Sequence, residues 1–357
     1  MKDLKYLFAF TIPLTVFLSI YFKDIFSYTT LVYAYGVIPL FELIFKPKSY
    51  EEKRVVSSDL KNIFFDSLLY LNFPIVTSLL FYGFNVLSFE NTFFYEEVGI
   101  VFSLAILLAT NGINVAHELG HRKSGFAKNI SKSLLLYSLY MHFFIEHNKG
   151  HHKNVGTPLD PASAKFNQTL YSFWVQSVIG QYINAWKIQL KELNTNSNSF
   201  FSIKNQMLIF LFFQISYLVV IGLVFTIKVS FLAVLVGVIS FLMLETINYI
   251  EHYGLTRKKM KSGRYERVQT HHSWNSEHQI GRIVLYELTR HSDHHYNASK
   301  EYQFLENKFQ SPQLPYGYPA SMLLALIPSL WFFVMNKKVI EFSKNFYNTK
   351  IPIKKTV

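Results

Sequence analysis

Six long apolar runs constrain the fold of this chain more than any other feature of its sequence. A helix of roughly 18 or more apolar residues is long enough to cross a lipid bilayer. Only 16% of the 357 residues are charged, against about 25% in soluble domains. The sequence therefore predicts an all-α integral membrane protein with six transmembrane helices. These spans are predicted at about 4–22, 28–45, 63–84, 98–115, 205–227 and 229–250.

Two polar regions, 116–204 and 251–357, follow the fourth and sixth spans. Within the first, residues 168–193 mix apolar and polar side chains, which is typical of a helix in the membrane interface or over the core. A shorter apolar stretch at 319–335 contains two prolines and is predicted as a buried or interfacial helix. The sequence contains no repeat and no change of composition that would mark a second domain. We therefore expect one membrane-embedded domain over residues 1–357.

The net charge of +12 follows the predicted topology. With a cytoplasmic N-terminus, the outer segments are 23–27, 85–97 and the turn near 228, and their only cations are Lys23 and Lys228. All other lysines and arginines lie on the cytoplasmic side, in agreement with the positive-inside rule. This predicts a bacterial inner-membrane protein with both termini and both polar regions in the cytoplasm. The positive-inside pattern explains the basic charge without nucleic acid and leaves at most an attraction to anionic lipid headgroups.

The chain contains no cysteine. This excludes disulfides, thiolate nucleophiles, iron–sulfur clusters and a fused rubredoxin-like module. A redox enzyme with this sequence must therefore receive its electrons from another protein.

All thirteen histidines lie between residues 117 and 295. Three clusters have the spacing that places imidazoles on one side of a helix: HELGH at 117–121, EHNKGHH at 146–152 and RHSDHH at 290–295. One more histidine, in NYIEHYGL, directly follows span six. Nine imidazoles exceed the four ligands of one zinc ion and suit two metal ions. Imidazole binds iron, copper, nickel and zinc, so the metal's identity stays open. The candidate ligands are His117, His121, His147, His151, His152, His252, His291, His294 and His295.

Two other functions share part of this pattern. HELGH alone matches the HExxH motif of zinc metalloproteases, in which the glutamate is the general base, but a protease leaves seven clustered histidines without a role. A histidine-rich metal transporter would place its ligands near the middle of the bilayer, whereas these lie at span ends and in polar regions. The remaining histidines are predicted to support the site, to dock a partner or to be structural: His142, His271, His272 and His278.

The motifs HELGHR, EHNKGHH, NYIEHYGL and RHSDHH, with NVGTPLDPAS and HSWNS, resemble the integral-membrane alkane monooxygenases. These enzymes are relatives of the membrane fatty-acid desaturases and of xylene monooxygenase. The resemblance covers about 111–298 and implies two iron ions, held only by the nine histidines, that activate O2 to hydroxylate the terminal methyl group of a medium- or long-chain n-alkane. It also implies rubredoxin as the electron donor, reduced by an NADH-dependent flavin reductase. A lipid desaturase, or a hydroxylase of another hydrophobic substrate, is the alternative within this class.

Several carboxylates and one amide are candidates for supporting the ligands. A carboxylate that accepts an imidazole N–H fixes the tautomer and balances the charge of the metal. Glu118, Glu146, Glu251 and Asp293 each flank a candidate ligand in the sequence, and we expect this role for them. Further candidates are Asp160 and Asn248.

An alkane has no polar group, so its binding must come from apolar burial in a slot among the spans, at about 0.8 kcal/mol per CH2. Tyr33 and Tyr35 of span two are candidates for the end of that slot, and Glu42 is a candidate cap or supporting group. Cations around the first two histidine clusters would suit an acidic electron donor. These cations are Arg122, Lys123, Lys128, Lys149 and Lys153.

Overall fold

The computed structural model describes residues 2–45, 59–308 and 310–347. Within these ranges the regular secondary structure is helical, apart from two isolated bridges. Six helices are long and apolar enough to cross a membrane, which confirms the predicted all-α membrane architecture. Most of the cations between spans two and three lie outside the described residues. The spans are Asp3–Phe22, Asp24–Ile44, Ile63–Phe89, Phe94–Gly120, Gln206–Val224 and Ile227–His252.

Shorter helices fill the two polar regions. The predicted interfacial segment forms one helix, whereas the stretch predicted as a single helix over 319–335 forms two. The break comes just before Pro328, which has no N–H to donate and begins the second helix. The helices are Gly125–Tyr137, Phe143–Glu146, His147–His151, His152–Asn154, Leu170–Thr195, Thr270–His272, Gln279–Val284, His291–Tyr296, Tyr302–Phe304, Tyr318–Ala325 and Pro328–Tyr347.

Polar side chains fix where four of the helices begin. Ser124, Thr169, Asn205 and Thr226 each precede a helix, and each accepts a hydrogen bond from the backbone N–H three residues later. Such caps satisfy donors that have no partner inside the helix. The caps at Asn205 and Thr226 therefore set the bounds of spans five and six.

Span four lies at the centre of the bundle. Its most apolar window is 83% buried, compared with 22% for span five. The outer spans direct large apolar side chains outward, among them Leu223 and Phe231, as expected for surfaces that face lipid. Span four also runs past its predicted end at 115, because a π-helix at Leu108–Ile113 continues into the helix Asn114–Gly120. The first histidine motif therefore begins on the central helix itself.

One buried carboxylate within the bundle has a full set of hydrogen-bond donors. Glu245 of span six is 0% exposed. It accepts hydrogen bonds from Tyr140 at 2.9 Å, Ser177 at 2.5 Å, Gln181 at 2.9 Å and Asn248 at 3.1 Å. Buried charges within a membrane domain need such partners. The network joins the long polar-region helix to span six and gives Asn248 a partner that is a carboxylate rather than an imidazole.

A tight turn holds the third histidine motif against the bundle. Tyr286 and Glu287 have positive φ angles of 50° and 60°, a conformation that non-glycine residues adopt only when surrounding contacts enforce it. Asn72 of span three donates to the Tyr286 hydroxyl at 2.9 Å. Glu287 accepts the hydroxyl of Tyr6 and pairs with Arg282 at 2.9 Å. These contacts fix the direction from which the chain enters the helix His291–Tyr296.

Span two also contacts the region of the third motif. Glu42 is 3% exposed, and its Oε1 accepts the backbone N–H of Gly281 at 2.8 Å. Tyr33 donates to the Thr11 hydroxyl at 2.9 Å. The buried apolar residues of the described chain include two large clusters, and Tyr35 packs against both. Glu42 therefore acts as a tether between a span and a polar region.

Candidate metal centre

The nine candidate ligands assemble into two adjacent groups. In each group the candidate ligand atoms all lie within 4.8 Å of one another. We name them the five-histidine group and the four-histidine group. The five-histidine group is His117, His121, His147, His152 and His294, and the four-histidine group is His151, His252, His291 and His295.

The second and third motifs each divide their histidines between the two groups. The segment His147–His151 is a π-helix, whose wider turn brings residues i and i+5 together. His147 therefore meets His152, with 2.9 Å between their Nε2 atoms, and His151 belongs to the other group. The i, i+4 spacing predicts that His147 and His151 face one side, and their ring centroids lie 5.2 Å apart, but the π-helical turn places the two rings in different groups.

Neighbouring imidazoles approach each other through their Nε2 atoms, with ring lone pairs converging on a common centre. Two nitrogens bound to one metal at about 2.1 Å lie roughly 3.0–3.4 Å apart. The observed separations match this geometry, so the residues fit a pair of histidine-held metal ions. The Nε2–Nε2 distances are 2.9 Å for His117–His294 and His147–His152, and 3.2 Å for His121–His152, His151–His295 and His252–His291.

Burial keeps most of these imidazoles neutral, and the neutral ring is the form that binds a metal. Burial, reinforced by neighbouring rings, lowers the pKa of His147, His152, His291 and His295 well below the usual value. His151 differs. Burial alone would lower its pKa, but the charge of Asp160 and the hydrogen bond that His151 donates to that carboxylate raise it.

Asp160 supports the four-histidine group from behind. Its Oδ2 lies 2.9 Å from Nδ1 of His151, on the ring nitrogen that faces away from the group. The Ser163 hydroxyl donates to the same oxygen at 2.6 Å, and the Ala162 N–H donates to Oδ1 at 3.1 Å. Asp160 is thereby oriented to accept the Nδ1 proton, which directs the Nε2 lone pair of His151 toward the centre of the four-histidine group.

Glu251 approaches the same group from a different side. Its Oε2 lies 3.1 Å from Nε2 of His291, and its Oε1 accepts the Tyr318 hydroxyl at 2.7 Å. Nε2 is the nitrogen that His291 directs toward His252. The carboxylate therefore lies on the metal-facing side of the ring, where it places negative charge next to the four-histidine group.

The other three predicted carboxylates contact groups other than the ligand rings. Glu118 accepts the backbone N–H of Tyr302 at 3.2 Å and pairs with Arg122 at 3.2 Å. Glu146 accepts from Asn184 at 2.8 Å. These two acids act on the elements that carry ligands and not on the ligand rings themselves.

Asp293 is the third of these acids. Its Oδ2 accepts the Lys300 ammonium at 2.7 Å and the backbone N–H of Glu306 at 2.8 Å. Asp293 therefore anchors the chain that follows the helix His291–Tyr296.

A third group contains Glu266, His271 and His272, and its hydrogen bonds argue against a metal. The backbone N–H of Gln269 donates to Nδ1 of His272 at 2.9 Å, so the neutral ring carries its proton on Nε2. That nitrogen faces Glu266 at 3.3 Å, and because it carries the proton it has no lone pair for a metal. We assign this group a structural role.

His142 and His278 lie outside both histidine groups. The ring of His142 packs on Tyr140, with 4.3 Å between centroids. Nδ1 of His278 lies 2.9 Å from the Ser276 hydroxyl. Both contacts are those of structural residues.

The sequence did not indicate some residues that orient the site. Tyr318 holds Glu251 from a position 67 residues away, and no motif marks it. Ser273 lies 3.4 Å from Nδ1 of His252 and belongs to HSWNS, so its motif was visible although its contact was not. Ser163 belongs to NVGTPLDPAS and could have been proposed together with Asp160.

The comparisons with known proteins agree with this site. The fatty acid desaturase family model matches residues 98–323, which include all nine histidines. Alkane 1-monooxygenase from Ectopseudomonas oleovorans is 35% identical over 312 residues, covering 87% of this chain and 77% of that protein. The enzyme of the same name from Acinetobacter baylyi is 38% identical over 269 residues, covering 74% and 64%.

A more distant relative also matches most of the chain. The xylene/toluene monooxygenase hydroxylase component of Pseudomonas putida is 29% identical over 304 residues, covering 82% of this chain and 77% of that protein. The family match and the alkane monooxygenase relatives each span most of the histidine-bearing region. The chain therefore belongs to the alkane 1-monooxygenase family, within the fatty acid desaturase superfamily.

Proposed function

We propose that this protein is a non-haem di-iron monooxygenase that hydroxylates the terminal methyl group of medium- or long-chain n-alkanes. It would use O2 and electrons from rubredoxin and release the 1-alkanol. The observation that carries this proposal is the pair of all-histidine groups at the ends of spans four and six. The names of the relatives at 33–38% identity support the reaction.

Each part of the site has a defined task in this proposal. The two irons, when bound, supply with O2 the oxidising power that side chains lack for breaking a terminal C–H bond. The nine imidazoles hold them without adding negative charge. Asp160 fixes the tautomer of His151, and Glu251 supplies negative charge beside the four-histidine group.

The spans would bind the substrate by apolar burial, since an alkane offers no hydrogen-bond donor or acceptor. Tyr33 and Tyr35 lie on a π-helical turn of span two and are our candidates for the residues that limit chain length. Replacing Tyr35 by alanine should shift the preference toward longer alkanes without loss of iron. Gas chromatography of the products from a mixture of alkanes measures this shift. An unchanged product profile for both Tyr33→Ala and Tyr35→Ala would remove span two from the proposal.

The main test is reconstitution of the purified protein in lipid. We expect about two irons per chain and the formation of 1-octanol from octane, O2 and reduced rubredoxin. The matched control is His291→Ala, which removes one ligand of the four-histidine group and should abolish the product. One zinc per chain, or full activity in the His291→Ala variant, would refute both the metal and the reaction.

Desaturation is the second candidate, because the matching family model is that of fatty acid desaturases. Both reactions start by removing hydrogen from an apolar chain, so the metal groups alone do not distinguish them. Product analysis does: a 1-alkanol indicates hydroxylation, and an alkene or an unsaturated acyl chain indicates desaturation.

We also propose an inner-membrane location with the histidine groups on the cytoplasmic side. The cysteine-free sequence allows single cysteines to be placed on a clean background. Asn91 lies exposed between spans three and four, and Asn129 lies exposed on the helix that follows span four. A cysteine at Asn91 should react with an impermeant reagent from outside, and one at Asn129 should not. The reverse labelling would overturn this orientation.

A further inference from the structure

A basic hairpin follows span six. Residues 256–267 turn back on themselves through a bridge between Lys259 and Tyr265 and a hydrogen bond from Met260 N to Arg264 O at 2.8 Å. Gly263, at φ 79°, makes the turn. Because the backbone is ordered in this way, the hairpin presents its cations as a fixed surface. The exposed cations are Lys258, Lys259, Lys261, Arg264 and Arg267.

The charge of this hairpin is not neutralised within the described part of the chain. Its one acid, Glu266, is engaged with the Lys258 backbone N–H at 2.7 Å and with His272 at 3.3 Å. None of the five exposed cations forms an ion pair with a described carboxylate. The hairpin is therefore a surface of about five uncompensated positive charges, whose field is screened over about 8 Å at physiological salt.

Two of the five cations predicted to receive an acidic donor are paired. Arg122 is surrounded by Asp66, Glu118 and Glu301, and Lys149 pairs with Glu192. These acids offset two of the positive charges that the sequence offers to a partner, which leaves Lys123, Lys128 and Lys153. The hairpin, with five exposed cations, therefore carries the larger unpaired positive charge among the described residues.

Both ends of the hairpin are attached to the metal centre. The guanidinium of Arg257 donates to the Lys153 carbonyl at 2.8 Å, and Lys153 directly follows the ligand His152. The Arg257 N–H donates to the Gly156 carbonyl at 2.7 Å. At the other end, the chain continues to Ser273, whose hydroxyl lies 3.4 Å from Nδ1 of His252. A partner on the hairpin would therefore rest on segments that hold ligands of both groups.

The ligand beside the hairpin is also one of the two that reach the surface. His121 and His152 are half-buried, whereas the other seven ligands are buried. Lys153, next to His152, is exposed. A protein docked here would approach a ligand ring directly and would not need to transfer electrons through the interior of the bundle.

From these observations we infer that residues 256–267, with Lys153, form the docking surface for an acidic electron-transfer protein. Electrons would enter the centre at the His152 edge of the five-histidine group. This inference rests on the proposed function, because only a redox enzyme needs such a donor. A protein partner fits better than anionic lipid, since the cations lie on a folded turn fixed to ligand-bearing segments. Polybasic lipid-binding segments need no such fixed geometry.

The test reverses three charges on the hairpin in the full-length, metal-loaded protein in nanodiscs. The variant is K258E/K259E/K261E, and its matched control is K187E/K191E/K204E, which reverses three exposed lysines on another surface. Binding of rubredoxin is measured directly by surface plasmon resonance as a function of salt. Alcohol formation is measured against rubredoxin concentration and, separately, with a small neutral reductant.

We expect the hairpin variant to raise both the Kd and the KM for rubredoxin by about tenfold or more and to lose most of the salt dependence. Its metal content and its kcat with the neutral reductant should stay within about twofold of wild type. The control triple should change none of these values. An unchanged Kd in the hairpin variant, or an equal loss in the control, overturns the docking surface.

The two proposals fail in different ways. If the unmodified protein forms no alcohol with either reductant, the proposed function is refuted, while the binding data still decide the docking surface. If the hairpin variant binds rubredoxin normally and instead loses its retention on vesicles with anionic lipid, the hairpin is a lipid contact and the inference is wrong.

Discussion

The four-histidine and five-histidine groups differ in what surrounds them. The four-histidine group is buried throughout, and two carboxylates touch its rings, Asp160 at Nδ1 of His151 and Glu251 at Nε2 of His291. The five-histidine group has one more imidazole and two half-buried residues, His121 and His152. One group is fully buried and has negative charge beside it, and the other lies closer to the surface.

In the proposed di-iron enzyme, this difference would give the two metals unequal tasks. Negative charge in a low-dielectric pocket stabilises a metal in a high positive charge state, since the field is screened little there. A group closer to the surface suits contact with a donor. The sequence motifs do not distinguish among the nine histidines. The difference in burial and neighbouring charge between the two groups is visible only in the three-dimensional arrangement.

The largest effect should come from removing one ligand in each group. His295→Ala leaves three imidazoles in the buried group, which should release about one metal per chain and abolish hydroxylation. His121→Ala leaves four, a number sufficient for a stable metal site, so most of the metal should remain. Metal content by mass spectrometry and the rate of alcohol formation measure the two outcomes.

A structural histidine provides the control for this pair. His278→Ala removes an imidazole that contacts Ser276 and should leave both metals in place. Equal metal loss from His295→Ala and His121→Ala would show that the two groups are equally tolerant, and the comparison would fail.

A smaller effect is expected from Asp160→Asn. The amide keeps the size of the side chain but removes the negative charge beside His151, and loss of such a supporting group typically costs about 10–100-fold in metal affinity or activity. The loss should fall on the metal of the four-histidine group alone. Chelator titration followed by Mössbauer spectroscopy of the remaining iron separates the two sites.

Ser163→Ala provides a control that keeps the carboxylate, because it removes one hydrogen bond to Asp160 and the bond that Ser163 accepts from the Gly156 N–H. Its effect should be several-fold smaller than that of Asp160→Asn. If both irons weaken together in Asp160→Asn, the carboxylate supports the centre as a whole and not one site.

The sequence predicted the six spans, and it singled out nine histidines that the structure brings together, because both depend on local patterns. Apolar runs fix the spans, and spacing fixes which imidazoles lie near one another along the chain. The division into two groups could not be predicted, since it depends on a π-helical turn at His147–His151 that has no simple sequence signal. The support by Tyr318 depends on packing between segments 67 residues apart.

The carboxylates show the same limit. The sequence indicates a supporting role equally for all four acids that flank a candidate ligand, because adjacency along the chain does not show where a side chain points. A side chain next to a ligand on a helix points about 100° away from it. Glu118 and Asp293 accordingly turn toward Arg122 and Lys300, whereas Asp160, which is nine residues from His151, reaches its ring.

The smallest effect should come from Glu118→Gln, which tests the HELGH motif directly. In a zinc protease this glutamate would be the general base, and the amide would abolish activity. Here Glu118 lies beside Arg122 and the Tyr302 N–H, and Arg122 keeps Asp66 and Glu301 as partners after the change. We therefore expect full metal content, a loss of hydroxylation of only a few-fold, and a stability cost of about 1 kcal/mol. Thermal unfolding and metal analysis of Glu118→Gln, measured alongside Asp160→Asn, test whether Glu118 or Asp160 supports a ligand. A Glu118→Gln protein that loses one metal while Asp160→Asn keeps both would reverse the assignment of which carboxylate supports a ligand.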